Sequence, residues 1–296
     1  MLNASPYKTG LVVAALLIGC ANAQNVSYST DIVFDAGGRP SAYATVNDQH
    51  EYLFAIDTAA QRTALSSRIV DELNLTADPE NRARVHGAAG ARYLDMYRLS
   101  SLELAGRRIE DGLFIGAAVA HDDDDLGHDG ILGQDFFAGQ QLVFDFEAET
   151  VAFGDLSIRD LGERLPLELM YGGFAIVTIE VGGVSTRAVI DTGASESFAN
   201  PVLMRALDLD PSQLTQAEIT AGVTQQSSIR IEGYTGDIVI GDVVIPSVAF
   251  EFTDGSIFNT FQMGDAPGII LGMDALGRLP GFAIDYSASE FRHLLP

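Results

Sequence analysis

Two aspartates, Asp57 and Asp191, occur in nearly the same local sequence, each followed by a threonine and two small residues. An apolar run ends at each aspartate, residues 53–56 and 188–190, which is typical of a buried strand leading into a tight turn. A buried carboxylate is unfavourable unless it is paired or hydrogen-bonded. Two carboxylates held about 3 Å apart share a proton, so that one can act as a general base and the other as a general acid.

The residues that follow each aspartate fit this chemistry. We expect Thr58 and Thr192 to form a hydroxyl network behind the carboxylates. Ala59 and Gly193 are small enough to let the two turns approach each other closely. The two turns differ at this position, since one has alanine and the other glycine. A second methyl group, at Gly193, would crowd the two closely apposed loops.

The elements around the aspartates occur twice. Residues 44–75 align with residues 178–209 without a gap, at an offset of 134. Three further blocks match in the same order, and the offset between them grows only to 140. Two diverged copies joined near residues 155–166 explain this pattern. We therefore expect an N-terminal lobe over residues 24–156 and a C-terminal lobe over residues 157–296.

The chain is mostly composed of short runs of β-branched and aromatic residues separated by Gly, Asn and Asp turns, which predicts a sandwich or barrel. One clear helix is expected per copy, beginning at Ser66-Ser67 and at Asn200-Pro201, with a short helical turn after each Leu-Gly. The predicted strands of the second copy include residues 174–181, 187–190, 228–231, 237–240 and 243–250.

Segments 54–60 and 189–195, together with Ile131-Leu132-Gly133 and Ile270-Leu271-Gly272, resemble the aspartic peptidases of the pepsin and retropepsin clan. The likeness is to the bacterial form that has both copies in one chain. It implies a mainly β, bilobal fold with two pseudo-symmetric β-barrel lobes and few short helices. It also implies hydrolysis of extended peptides by water activated between Asp57 and Asp191, without a covalent intermediate, metal or cofactor.

The resemblance implies a flap between the aspartate and the Leu-Gly element of each copy. His86-Gly87 and Ala221-Gly222 lie at matching distances from the two aspartates, and glycine suits a hairpin tip. Pepsin-like relatives have a tyrosine at one flap tip, which this chain lacks. His86 is either a solvent-facing flap residue or a catalytic one.

The overall charge bounds the possible partners. The chain has 17 Lys and Arg against 41 Asp and Glu, a net charge of −24, which argues against binding to nucleic acid or to an anionic membrane. Its one cysteine excludes an intrachain disulfide and a cysteine-based zinc site.

Other acidic residues are interpreted as structural. The run of residues 121–129 is predicted to be an acidic, solvated loop, since its spacing does not match a calcium-binding loop. The pairs Asp135 and Asp274, and Asp145 and Asp285, are predicted to hold turns or helix starts.

Residues 1–23 have the pattern of a signal peptide: Lys8, the apolar run 11–19, and Ala21-Asn22-Ala23 before a mature chain starting at Gln24. Residues 17–20 also resemble a bacterial lipobox, in which Cys20 would be lipidated. Either interpretation predicts export to the periplasm or cell envelope, with a lipid anchor in the second.

Two alternatives to an enzyme stay open. One is a peptide-binding envelope module that kept the fold and lost turnover; the other is a lobe pair that serves in assembly. The retained Asp-Thr pair favours the enzyme, whereas Ala59 and the unusual flap favour the alternatives. Because one chain holds both aspartates, we expect a monomer whose partner is a peptide or protein substrate.

Overall fold

The computed structural model describes residues 26–87, 90–117, 127–137, 139–158, 161–171, 173–210, 212, 214–221 and 226–296. Residues 1–25, which contain the predicted signal peptide and Cys20, lie outside the described residues, as does Gly222. Within the described part of the chain no helix is long and apolar enough to cross a membrane.

The first copy forms a series of strands and two short helices, most of which have a counterpart in the second copy. Its elements are β1 (Ser27–Asp31), β2 (Val33–Phe34), β3 (Pro40–Val46), β4 (His50–Ile56), β5 (Ala64–Leu65), α1 (Ser67–Glu72), β6 (Ala77–Gly87), β7 (Gly90–Leu104), β8 (Arg107–Gly116), β9 (Gly130–Leu132), α2 (Gln134–Phe137), β10 (Gln141–Asp145) and β11 (Thr150–Gly154).

The second copy follows with one additional short helix, α4. Its elements are β12 (Leu165–Met170), β13 (Phe174–Val181), β14 (Val184–Ile190), β15 (Phe198–Ala199), α3 (Pro201–Ala206), β16 (Thr215–Ala221), β17 (Gln226–Ile240), β18 (Val243–Thr253), α4 (Ile257–Thr260), β19 (Gly268–Leu271), α5 (Met273–Leu276), β20 (Gly281–Asp285) and β21 (Glu290–His293). The protein is mainly β and bilobal, with two β-barrel lobes and few short helices, as the sequence predicts.

Each lobe folds around the strand that leads to its aspartate. In the first lobe β4 pairs antiparallel with β3 and parallel with β9, and in the second β14 pairs in the same two ways with β13 and β19. Both aspartate-bearing strands are therefore central in their sheets. Their positions are set by hydrogen bonds on both sides.

A shared sheet joins the lobes. Strands β10 and β20, one from each copy, pair antiparallel with Val143 opposite Ala283. The first lobe extends this sheet through β11 and β1, and the second through β21 and β12. The predicted boundary at residues 156 and 157 lies in the connection between β11 and β12 and stays a prediction.

The predicted helix starts are confirmed. Ser66 caps α1 by accepting a hydrogen bond from the backbone N–H of Ile69, and Asn200 caps α3 in the same way through Leu203. Pro201 occupies the first turn of α3. Both helices are short and end before Asn74 and Asp208, which adopt positive φ angles.

Two details of the sequence prediction are wrong. Residues 228–231 and 237–240 are not separate strands but parts of β17, which bends through register shifts near Tyr234 and Gly236. The gap-free alignment also fails at the first hairpin of each lobe. The turn between β3 and β4 has three residues, 47–49, whereas the turn between β13 and β14 has two, so β13 follows β3 at an offset of 135.

Candidate active site

The two Asp-Thr turns meet across the boundary between the lobes. Asp57 follows β4 and Asp191 follows β14, and each donates its backbone N–H to a leucine carbonyl of the adjacent strand at 3.0 Å. Both aspartates are partly exposed, while Thr58 and Thr192 are buried with at most 1% of their surface accessible. Each aspartate thus keeps some exposed surface, whereas the two threonines behind them have almost none.

Thr58 and Thr192 lock the turns together reciprocally. The backbone N–H of each threonine donates to the hydroxyl of the other, both at 3.1 Å. Each hydroxyl then donates into the opposite lobe, from Thr58 to the carbonyl of Ile190 at 2.7 Å and from Thr192 to that of Ile56 at 2.6 Å. This is the hydroxyl network that the sequence predicts, and it holds the two strand ends in one geometry.

Backbone donors orient each carboxylate. Oδ1 of Asp57 accepts from the N–H of Ala59 at 2.8 Å, and Oδ1 of Asp191 accepts from Gly193 at 2.9 Å and from Ala194 at 3.1 Å. One oxygen of each carboxyl is therefore fixed within its own turn. The other oxygen is left to interact across the pair.

The carboxyls affect each other electrostatically. Burial raises the pKa of Asp57 above its usual value, against the lowering effect of the backbone hydrogen bonds in its turn. The pKa of Asp191 is raised well above its usual value, first by burial and then by the neighbouring charge of Asp57, with a further contribution from the hydrogen bond between the two side chains. This is the behaviour of two carboxyls that share a proton.

Gly193 lies directly against the opposite carboxyl. A Cβ added at this residue would be 2.3 Å from Cγ and Oδ2 of Asp57. The corresponding residue of the first turn, Ala59, has its methyl group packed against an apolar cluster of the second lobe. The first turn thus accommodates a side chain, and the second turn does not.

A second layer ties each turn to the Leu-Gly element of its own lobe. Asp135 accepts hydrogen bonds from the N–H and hydroxyl of Thr63, and Asp274 accepts one from the hydroxyl of Ser197. The same two hydroxyls accept from the N–H groups of Gly133 and Gly272. Asp135 and Asp274 are therefore structural, as expected.

The sequence analysis identified the two aspartates of this second layer but not their hydroxyl partners, Thr63 and Ser197. The signal was present in the sequence: Thr63 and Ser197 each lie six residues after their aspartate. Gln134 was also missed. Its side-chain amide donates to the carbonyl of Thr58 at 2.6 Å.

Three of the four predicted flap residues, His86, Gly87 and Ala221, lie at hairpin ends. Gly87 pairs with Gly90 at the end of the β6–β7 hairpin, which places His86 one residue before the tip. Ala221 pairs with Gln226 at the end of the β16–β17 hairpin. The two hairpins correspond to each other in the two lobes, and their contact with a substrate stays a prediction.

The end of the acidic run is not solvated, which corrects the sequence interpretation. His128 is 1% exposed and Asp129 is 6% exposed. Asp129 accepts from the N–H of Leu53 at 3.0 Å and pairs with Arg68 at 2.6 Å. These contacts draw the end of the run inward, while residues 118–126 lie outside the described residues.

His128 belongs to a buried ionic cluster with Asp35 and Arg39. Nε of Arg39 donates to Oδ2 of Asp35 at 2.7 Å, and Nδ1 of His128 lies 3.2 Å from the same oxygen. Burial alone would raise the pKa of Asp35, but the hydrogen bonds from His128 and Arg39 and the charge of Arg39 lower it below its usual value. The sequence analysis did not identify this cluster.

The other matched acids are turn residues. Asp145 accepts from the N–H of Ala148, and Asp285 accepts from those of Ser287 and Ala288. Among the described residues, no group of three or more His, Cys, Asp or Glu side chains is arranged to hold a metal ion.

The sequence matches the family model described as "Aspartyl protease" twice, over residues 42–136 and 177–275. The two matches cover more than half of the chain and coincide with its two lobes, so the chain belongs to this aspartyl protease family. The comparison with curated proteins gives no match.

Proposed function

We propose that this protein is an aspartic endopeptidase that hydrolyses extended peptides with a water molecule activated between Asp57 and Asp191. The observation that carries the proposal is the reciprocal Thr58–Thr192 lock, which holds the two aspartates close enough for their carboxyls to share a proton. A lone buried aspartate could be structural. A matched pair in contact across two lobes supports acid–base chemistry.

The reaction needs one ionised and one protonated carboxyl. The ionised member takes a proton from water, and the resulting hydroxide oxygen bonds to the peptide carbonyl carbon. The carbonyl π electrons move to oxygen, which takes the proton of the second carboxyl and yields a gem-diol. When the C–N bond breaks, its electron pair stays on nitrogen, which receives the proton that came from water. The second carboxyl recovers a proton from a gem-diol hydroxyl.

The test is a peptide-library cleavage assay from pH 3 to 8 with Asp57→Asn, Asp191→Asn and the double variant. Each single variant should lose activity by about 10³-fold or more, and the double variant should lose little further, because the two residues act as one unit. Near-native cleavage by either folded single variant would refute the assignment.

A peptide-binding module is the second candidate. It is favoured by two features of the sequence: Ala59 stands where the second turn has Gly193, and no tyrosine lies at the flap tip. Peptide binding by the wild-type chain without cleavage at any pH, in the same library, would select this candidate.

We further propose that the active unit is a monomer exported to the periplasm or cell envelope of a bacterium. The proposal is supported by the presence of both aspartates in one chain and by the signal-like residues 1–23. Cys20 would supply a lipid anchor if the lipobox is used.

Activity per chain should be independent of dilution; a steep fall accompanying dissociation of a dimer would contradict the monomer.

A further inference from the structure

The strands that pair with the aspartate-bearing strands begin differently in the two lobes. The β3–β4 ladder ends with Ser41 opposite Ala55, and Arg39 lies two residues before Ser41. The β13–β14 ladder ends with Ile176 opposite Val189, and Phe174 lies two residues before Ile176. Arg39 and Phe174 are therefore counterparts, each near the strand end that leads to the aspartate of its lobe.

The neighbours of Arg39 are charged, whereas those of Phe174 are apolar. The β2–β3 pairing places Asp35 opposite Arg39, and the β12–β13 pairing places Met170 opposite Phe174. The pairing of β4 with β9 and of β14 with β19 makes Pro267 the counterpart of His128. The ionic cluster of the first lobe is thus replaced by apolar residues in the second.

The second-lobe site is a packed apolar environment. Phe174 packs edge-on against Phe261 with ring centroids 5.0 Å apart. Met170, Phe258 and Met263 belong to the same buried cluster, which reaches Ala59 of the first turn. None of these side chains can offset a negative charge.

We propose that Arg39 and His128, held by Asp35, are positioning residues that make Asp57 the ionised member of the pair and leave the shared proton on Asp191. An ionised carboxyl is favoured beside positive charge, and a neutral carboxyl is favoured beside apolar side chains. The inference rests on the proposed function for its catalytic meaning: Asp57 is then the base toward water, and Asp191 is the acid toward the carbonyl oxygen.

The electrostatics around the pair agree with this assignment. The charges of Arg39 and His128 both lower the pKa of Asp57, opposing the effect of its burial. The pKa of Asp191 is raised by burial and by Asp57.

Other titratable groups bear on the same site. Asp35 faces Arg39 and His128 and partly offsets their charge. Tyr286 is a buried phenol whose pKa is raised by burial and by the charge of Asp57, so it stays neutral and adds no charge to the pair.

The test is a ¹³C NMR titration of the full chain with labelled aspartate carboxyl carbons, assigned with Asp57→Asn and Asp191→Asn. The Asp57 resonance should titrate at lower pH than that of Asp191. His128→Gln and Arg39→Gln should each move the Asp57 midpoint upward by about 0.5 pH unit or more, because each removes a nearby positive charge. Arg39→Lys, which keeps the positive charge, should move the Asp57 midpoint less than Arg39→Gln does. This variant and His128→Gln still test the proposal if Arg39→Gln does not fold.

His293→Gln is the matched control. His293 is also buried and paired with a carboxylate, Asp242 at 2.7 Å, but it lies outside the ionic cluster. This variant should leave the Asp57 midpoint unchanged. The proposal would be overturned if Asp191 titrated at a lower pH than Asp57. It would also be overturned if His293→Gln moved the Asp57 midpoint as much as His128→Gln does.

The titration separates the two hypotheses. If the chain cleaves no peptide and Asp57 still ionises first, the proposed function fails and the charge assignment stands. If the chain cleaves peptides, the acidic limb of the pH profile of kcat/KM should move upward in His128→Gln and stay in place in His293→Gln. An unmoved limb in His128→Gln would contradict the assignment.

Discussion

The two lobes share the parts that position the carboxyls and differ in the parts that surround them. Both have a threonine that donates into the other lobe and a second hydroxyl bound to the aspartate after Leu-Gly. The surroundings of the two carboxyls differ: the charges of Arg39 and His128 act on Asp57, whereas Val189 and Ile270, near the end of β14, belong to an apolar cluster.

This comparison shows how a duplicated site can become unsymmetrical without losing its geometry. The shared contacts are hydrogen bonds between buried groups, so a change in one of them leaves a partner unsatisfied. The surrounding positions interact with the carboxyls through charge and packing. They can change from ionic to apolar while the carboxyls stay in place.

The largest expected effect comes from removing the Thr58–Thr192 hydrogen bonds, which both lobes share. Thr58→Val and Thr192→Val should each lower the free energy of unfolding by about 3 kcal/mol, because each leaves a buried N–H and a buried carbonyl without a partner. The two losses should be similar and should not add in the double variant. Denaturant unfolding measures them.

Thr178→Val is the control for these variants. Thr178 is exposed on β13, so its change should stay within about 0.5 kcal/mol. A large difference between Thr58→Val and Thr192→Val would show that the lock is not equivalent in the two lobes.

The next effect tests the asymmetry of the two turns. Gly193→Ala should lower kcat/KM by about tenfold or more, because its methyl group would overlap the Asp57 carboxyl and move it out of position. Ala59→Gly, the matched change in the other lobe, should keep or raise activity. Steady-state kinetics on both variants decide this, and full activity in Gly193→Ala would refute the close-approach argument.

The smallest expected effect is the pH dependence of stability. The raised pKa of Asp191 means that the folded protein binds more protons than the unfolded chain between pH 3.8 and the native value. Stability from this group therefore falls as the pH rises through that window. At neutral pH, Asp191→Asn should be more stable than wild type by about 1 kcal/mol, and the gain should shrink toward pH 4.

Asp57→Asn should gain less stability than Asp191→Asn at neutral pH, because Arg39 and His128 already offset the charge of Asp57. Thermal unfolding of the two variants between pH 4 and 8 measures the difference. A larger gain in Asp57→Asn would contradict the asymmetry of the surroundings.

Much of the site followed from the sequence because it is local and repeated. The apolar run before each aspartate, the threonine after it and the cap residues Ser66 and Asn200 each act within a few residues along the chain. Their repetition in two copies made the pairing of Asp57 with Asp191 predictable. The mainly β class followed from the pattern of short strands, and the two-lobed aspartyl protease fold from the resemblance of the repeated motifs to that family.

What the sequence missed depends on register and on long-range contacts. A turn shorter by one residue shifts β13 relative to the gap-free alignment, and only the strand pairing shows that Phe174 is the counterpart of Arg39. His128 was assigned to a solvated loop because its neighbours in sequence are acidic. In the fold it lies against Asp35, which is 93 residues away along the chain.

The sequence by itself determined that two Asp-Thr turns exist and that a duplicated β fold must bring them together. The tertiary structure alone decided which side chains surround each carboxyl. The physical reason is that the charge state of a buried carboxyl depends on every group within several ångströms, and those groups come from strands and loops that are distant in the chain.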